Sequence, residues 1–191
     1  MKKLLSTMLL LLGCIASQAQ EIKKNEVTFA DYQSLLEAEG YQAYSFDISA
    51  LKGKNISLHF KEYIDGKEVE SDINEIMPYT FGVNGDKLVF GALPAKCDSL
   101  INFCISIEKT VKFAYSLKRK PLVVEGVSRY DSYRTEAFEL TTPLNKETFI
   151  PLVMYSSFWY DAEYNVTRCC GTASDIAQHS PHYYAIGIII H

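Results

Sequence analysis

The sequence lacks every motif that would fix a chemistry on its own. It has no Gly-x-Ser-x-Gly elbow to seat a nucleophile and no Cys/His spacing of a standard zinc site. Only four histidines and one tryptophan occur in 191 residues. No internal repeat, linker or low-complexity stretch divides the chain. Beyond the first twenty residues, no segment approaches the roughly 20 apolar residues that a membrane-crossing helix needs. These gaps point away from a cofactor-dependent enzyme and from a helical membrane span.

What is present begins with a leader. Lys2 and Lys3 precede Leu4, Leu5, Met8 and the run Leu9 to Leu12, and small and polar residues follow at Ser17-Gln18-Ala19-Gln20. That is the charged head, apolar middle and small-residue cleavage site of a secretory signal over residues 1–19. Ser17-x-Ala19 predicts release of a soluble periplasmic or secreted protein that starts at Gln20. The alternative is a lipoprotein: Leu11-Leu12-Gly13-Cys14 reads as a lipobox with Cys14 as the lipid-bearing residue. Loss of Lys2 and Lys3 leaves 17 basic against 23 acidic side chains, a net charge of −6. That balance argues against nucleic acid or an anionic membrane surface as a partner. Residues 20–191 suit a single domain.

Thr28-Phe29-Ala30-Asp31 offers an N-cap with an acid three residues on, and Phe29, Tyr32, Leu35 and Leu36 recur at helical spacing before Gly40. The pattern predicts one short helix over 29–39 that covers one end of a sheet. After Gly40 the period becomes two, in Tyr44/Phe46/Ile48 and then Ile56/Leu58/Phe60. Asp65-Gly66 and Asn84-Gly85 read as hairpin turns, because glycine tolerates positive φ and Asp or Asn nearly does. Ile101/Phe103/Ile105/Ile107 and Val111/Phe113/Tyr115/Leu117 make two further apolar faces joined at Glu108-Lys109-Thr110. Segments 122–127, 137–140, 149–158, 163–169 and 183–190 complete about ten short strands. The fold class is therefore mainly β, with antiparallel sheets in a β-sandwich or jelly-roll-like arrangement and one short N-terminal helix. The Ser-Gln-Ala-Gln-Glu leader end, the β-rich body and the closing strand Tyr183-Tyr184-Ala185-Ile186-Gly187-Ile188 resemble small exported proteins of gut Bacteroidetes. Many of those are domains of unknown function, so the resemblance brings no site residues with it.

Cys97, Cys104, Cys169 and Cys170 remain after the leader. An even count in an oxidising compartment predicts disulfides, with three connectivities open. Cys169 and Cys170 have Cα atoms about 3.8 Å apart, whereas Cys97 and Cys104 on one extended strand would be roughly 23 Å apart. Bridged Cα atoms lie about 4.4–6.8 Å apart, so either the 97–101 segment bends or only one cross-bridge forms. At least one bridge from the Cys97/Cys104 region to Cys169 or Cys170 is expected. Closing a loop of about 70 residues would stabilise by about 4 kcal/mol in the chain-entropy model. The alternative is a strained vicinal Cys169-Cys170 disulfide that acts as a redox switch.

Chemistry-bearing residues cluster near the C-terminus. Asp175, His179 and His182 follow Cys169-Cys170 within fourteen residues, and zinc accepts all three ligand types. They are the candidate metal set, although Ser180-Pro181 reads as a surface loop. His59 falls on the polar face of its strand and is expected to meet solvent. A hydrolytic triad can be drawn from Ser174 or Ser180, His182, and Asp161 or Asp175, and Asp161/Glu163 would share a face of an extended segment. The aromatic run Phe158-Trp159-Tyr160, with Tyr155 and Tyr164, is the most suggestive feature. On a continuing strand Phe158 and Tyr160 face one way and Trp159 the other. Trp159 is then either a core anchor or a flat ring that stacks on a sugar or grips a protein. Thirteen tyrosines also suit an interaction surface. The reading is a binding module for a glycan or an envelope protein, with Tyr155, Trp159, Tyr160 and Tyr164 as ligand-binding residues and no cofactor. A hydrolase or metal-dependent enzyme using the Asp175/His179/His182 loop is the alternative, and a purely structural envelope component is a third.

Overall fold

The computed structural model describes residues 24–70, 80–94, 97, 99–107, 110–129, 132–140 and 145–191. The leader with Cys14 and Gln20, and the Glu108-Lys109 turn, lie outside the described residues. The chain divides into two compact units, residues 1–34 and 35–191. Helix α1 (Phe29–Ala38) starts where its capping signal predicts. The Thr28 amide and hydroxyl both donate to Asp31 Oδ2, at 2.7 and 2.8 Å, and Gly40 ends the segment at φ +86°. None of its residues is buried.

Residues 35–191 are mostly β, in antiparallel sheets. One sheet has four strands in the order β1 (Gln42–Asp47), β5 (Lys87–Pro94), β6 (Leu100–Ile107), β7 (Thr110–Lys118). The other runs β10 (Tyr133–Ala137), β11 (Phe149–Ser157), β14 (His182–Ile190), β2 (Asn55–Ile64), β3 (Lys67–Val69), with β4 (Thr80–Gly82) also on β2. Two small hairpins stand apart: β8 (Leu122–Val124) with β9 (Val127–Arg129), and β12 (Trp159–Asp161) with β13 (Val166–Arg168).

Alternation explains the core. Ile101, Phe103, Ile105 and Ile107 are buried on one face of β6 while Asn102, Cys104 and Ser106 point to the other. From the second sheet, Ile56, Leu58 and Phe60 of β2 and Tyr184, Ile186, Ile188 and Ile190 of β14 meet them. Phe103 packs edge-on against Tyr155 at 5.3 Å, and Phe60 lies tilted against Tyr115 at 5.6 Å, so rings from the two sheets interlock. This is the face-to-face packing of a sandwich.

Two turn signals behave differently. Asp65 and Gly66 take φ values of 49° and 73° and close the β2–β3 hairpin with Ile64 opposite Lys67. Asn84-Gly85 does not make a hairpin. Neither residue has positive φ, and the strands on either side belong to different sheets, β4 on β2 and β5 on β1 and β6. The segment carries the chain from one sheet to the other.

Three further differences bear on function. Residues 173–179 form a second helix, α2 (Ala173–His179), where the sequence reads as a loop. The Thr172 hydroxyl accepts the Asp175 amide at 3.2 Å while Asp175 Oδ2 accepts from Thr172, a capping box that makes so short a helix stable. The strand expected over 163–169 shortens to β13, because Ala162 to Asn165 turn, with Asn165 at φ 53°. Strand β10 lies a few residues before the expected 137–140 segment.

Phe103 is 1% exposed and holds the two sheets together through Tyr155. Phe103→Ala should cost about 3–5 kcal/mol in urea unfolding. A loss below about 1 kcal/mol would contradict the packing of these sheets.

Candidate functional site

The outer face of the six-stranded sheet carries a second, smaller core. Met154 of β11 and Tyr183 of β14 point away from the sandwich interior, and Ala173 and Ile176 of α2 pack on them. Tyr63, Phe138, Trp159 and Ala177 border this cluster, and Tyr63 stacks on Tyr183 at 4.6 Å. The β12–β13 hairpin and α2 thereby stand side by side on one sheet face.

Between them lies a groove of about 590 Å³, lined by Trp159, Tyr160, Asp161, Ala162, Arg168, Cys170, Gly171, Asp175 and His179. Trp159 is half-buried, with its ring stacked on the His179 imidazole at 5.6 Å and 19° between planes. It is therefore both a packing residue and a groove wall. Arg168 Nε donates to Asp161 Oδ2 at 2.6 Å, across the hairpin, and its guanidinium lies 5.0 Å over the Tyr164 ring. Asp161 Oδ1 accepts the Glu163 and Tyr164 amides at 3.1 and 3.3 Å, which folds the turn. Partial burial opposes ionisation of Asp161, but the Arg168 and amide bonds outweigh it and hold its carboxyl below the usual carboxylate range. The Tyr160 hydroxyl donates to Asn165 Oδ1.

The sequence candidates separate. Trp159 and Tyr160 line the groove, and Tyr164 lies exposed on the hairpin turn under Arg168. Tyr155 is buried inside the sandwich, stacked on Tyr133 at 4.9 Å. Of the proposed metal ligands, Asp175 and His179 line the groove together and His182 does not join them. Asp175 caps α2, His179 stacks on Trp159, and His182 is buried in β14. Among the described residues no group of three or more His, Cys, Asp or Glu is placed to hold a metal ion. The triads drawn on His182 do not form either, because Tyr133 and Glu62 occupy its two nitrogens. Ser180 is buried, not on a surface loop, with its hydroxyl 2.9 and 3.0 Å from the Ser157 and His182 carbonyl oxygens. Glu163 sits in the turn, so it does not share a strand face with Asp161.

The four described cysteines are free. The bridge expected between the Cys97/Cys104 region and Cys169 or Cys170 is absent, and for Cys104 the reason is topological. Cys104 is in the middle of β6 with its side chain on the outer face of the four-stranded sheet, whereas Cys169 and Cys170 follow β13 on the outer side of the other sheet. Cys169 and Cys170 lie with their sulfurs 3.2 Å apart, as thiols. Arg168 is the groove residue that spacing did not reveal. Its pairing with Asp161 depends on the four-residue turn, and Asn165 before β13 was the signal for it.

His182 is the middle member of a polar chain between Tyr133 and Glu62. Its Nδ1 is 2.5 Å from the Tyr133 hydroxyl and its Nε2 is 3.0 Å from Glu62 Oε1. Burial pushes the imidazole below its ordinary value near 6.5, and the bond to Glu62 offsets only part of that. The unfolded chain then takes up a proton near pH 6.5 that the folded chain refuses, so stability present above that pH is lost as pH falls. His59 is lowered by burial, then by His191 and Lys61, and adds a contribution of the same sign. His182→Gln should flatten the decline in unfolding free energy between about pH 7 and 5. Equal slopes in the two proteins would show that His182 takes up its proton freely when folded.

No curated protein and no solved structure matches this chain. A family model does, over residues 13–191, and its description is Domain of unknown function (DUF5041). With nearly all of its length matched, the chain belongs to the DUF5041 family, a family of domains of unknown function.

Proposed function

We propose that this domain is an exported cell-envelope binding module and that the groove between α2 and the β12–β13 hairpin takes a glycan. The supporting observation is the meeting of Trp159 and Tyr160 with the Arg168–Asp161 ion pair in one concavity. Sugar rings offer an apolar face to aromatic rings and hydroxyls to planar charged groups, and the groove supplies both. Its walls are pre-ordered: His179 fixes the indole, and the Asp161 turn fixes Arg168. Pre-ordering reduces the entropy lost on binding. Export rests on the basic, apolar and small-residue leader over residues 1–19. The mature N-terminus should be Gln20, which N-terminal mass analysis reads. A lipid-modified Cys14 would instead make this an anchored lipoprotein.

Trp159 is the only tryptophan, so its fluorescence reports the groove directly. Titration with neutral and acidic oligosaccharides should shift its emission, and Arg168→Ala should weaken the response about tenfold, near 1.4 kcal/mol. The Arg168 side chain is part-exposed on a short hairpin, so its loss should change stability by no more than about 0.5 kcal/mol. If no oligosaccharide shifts the emission, the glycan reading fails. An envelope protein that shifts it instead would keep the groove and change the ligand.

A further inference from the structure

Away from the groove, four residues from three distant segments of the sequence meet on the outer side of the six-stranded sheet. Ser57 and His59 of β2 point away from the core that Ile56, Leu58 and Phe60 enter. His191 follows β14, and its amide donates to the Asn55 carbonyl at 2.9 Å, holding it against the start of β2. Glu147 precedes β11, and its amide donates to the Ile190 carbonyl at 2.9 Å. Three chain segments thus converge through backbone bonds. The Ser57 hydroxyl oxygen lies 2.8 Å from His191 Nε2 and 2.8 Å from His59 Nε2, and His191 Nδ1 lies 3.1 Å from Glu147 Oε1.

Proton counting orders this chain. A neutral imidazole has one N–H and one bare nitrogen, and a hydroxyl has one proton. In the neutral tautomer that places the Nδ1 proton on the Glu147 carboxylate, His191 Nε2 is bare. The Ser57 proton therefore points at His191 Nε2, and the Ser57 oxygen accepts the His59 Nε2–H. Burial lowers the pKa of His59, which keeps it a neutral, single-donor imidazole. The arrangement has a nucleophile bonded to a base, and the base bonded to a carboxylate that fixes its tautomer.

We propose that Ser57, His191 and Glu147 form an acyl-transfer relay that cleaves esters with a small acyl group. Ser57 Oγ attacks the ester carbonyl carbon as its proton passes to His191 Nε2. The C–O bond to the alcohol breaks, and the leaving oxygen takes that proton, leaving an acyl ester on Ser57. Water then attacks the acyl carbon, gives a proton to the same nitrogen, and releases the carboxylic acid as Ser57 recovers its hydrogen. The His59 Nε2–H, which bonds Ser57 Oγ at rest, serves in this relay as the donor to the carbonyl oxygen as charge develops there. Glu147 is a positioning residue that acts through His191. The acyl group must be small because Ser57 is only 4% exposed.

The test treats the folded, full chain with an alkyl fluorophosphonate, which phosphonylates activated serines, and maps the product by peptide mass. One phosphonyl group is expected on Ser57 and none on Ser57→Ala. His191→Gln should slow labelling about 100-fold, the scale of a lost general base. Glu147→Gln should also slow it and should remove the downfield imidazole proton resonance of His191 Nδ1–H, which Glu147→Asp retains. The wild-type result needs no variant to fold. A folded chain that takes no phosphonyl group on Ser57, or one labelled as fast in His191→Gln as in wild type, overturns the proposal.

Discussion

Burial of strand β14 on both faces is the constraint from which the rest of the structure follows. Its residues 182–188 are all buried, although alternate side chains point to opposite sides of the sheet. The inner set, Tyr184, Ile186, Ile188 and Ile190, fills the sandwich. The outer set begins with Tyr183, which needs a cover that solvent cannot provide, and α2 supplies it through Ala173 and Ile176. Gly187 shows how tight this strand is against β11. A Cβ there would lie 2.1 Å from the Ile150 carbonyl oxygen, at the place where the β11 register shifts between Pro151 and Val153. A glycine at this point lets the bulged strand approach.

The groove follows from that cover. Once α2 is fixed by its packing on Met154 and Tyr183, His179 at its end meets Trp159, and the indole becomes a wall shared by the small core and the groove. The same sheet also brings Ser57, His59, His191 and Glu147 together, since β2 and β14 pair throughout their length and Glu147 bonds the last β14 carbonyl. Both groups of residues therefore sit on the outer face of the same sheet.

Period-two alternation made the sandwich legible: β2, β6 and β7 lie where their apolar faces predict, because one side of each strand must be dry. Asp65-Gly66 was legible because its two φ values are local facts. Asn84-Gly85 carries the same letters but serves a sheet change, which depends on where β4 and β5 find partners. Helix α2 was read as a loop: Thr172-x-x-Asp175 before Ile176 and Ala177 is a capping box ahead of an apolar pair, but seven residues are too few for periodicity to speak. Trp159 and Tyr160 of the aromatic run line the groove, while Tyr155 went to the core because its strand faces inward there. Ser57 and His191 are 134 residues apart, and His59 read only as a polar strand position. No spacing rule reaches across that separation.

The measurement that bears most directly on this account is native-state amide hydrogen exchange resolved along the chain. If β14 is the shared spine, the amides of Tyr184, Ile186 and Ile188 exchange only by global unfolding and are the slowest in the protein, with an exchange free energy equal to that of unfolding. The β12–β13 and β8–β9 hairpins, which pair outside both large sheets, exchange by smaller local openings. Exchange of the β14 amides as fast as that of the hairpins would contradict the central place given to this strand.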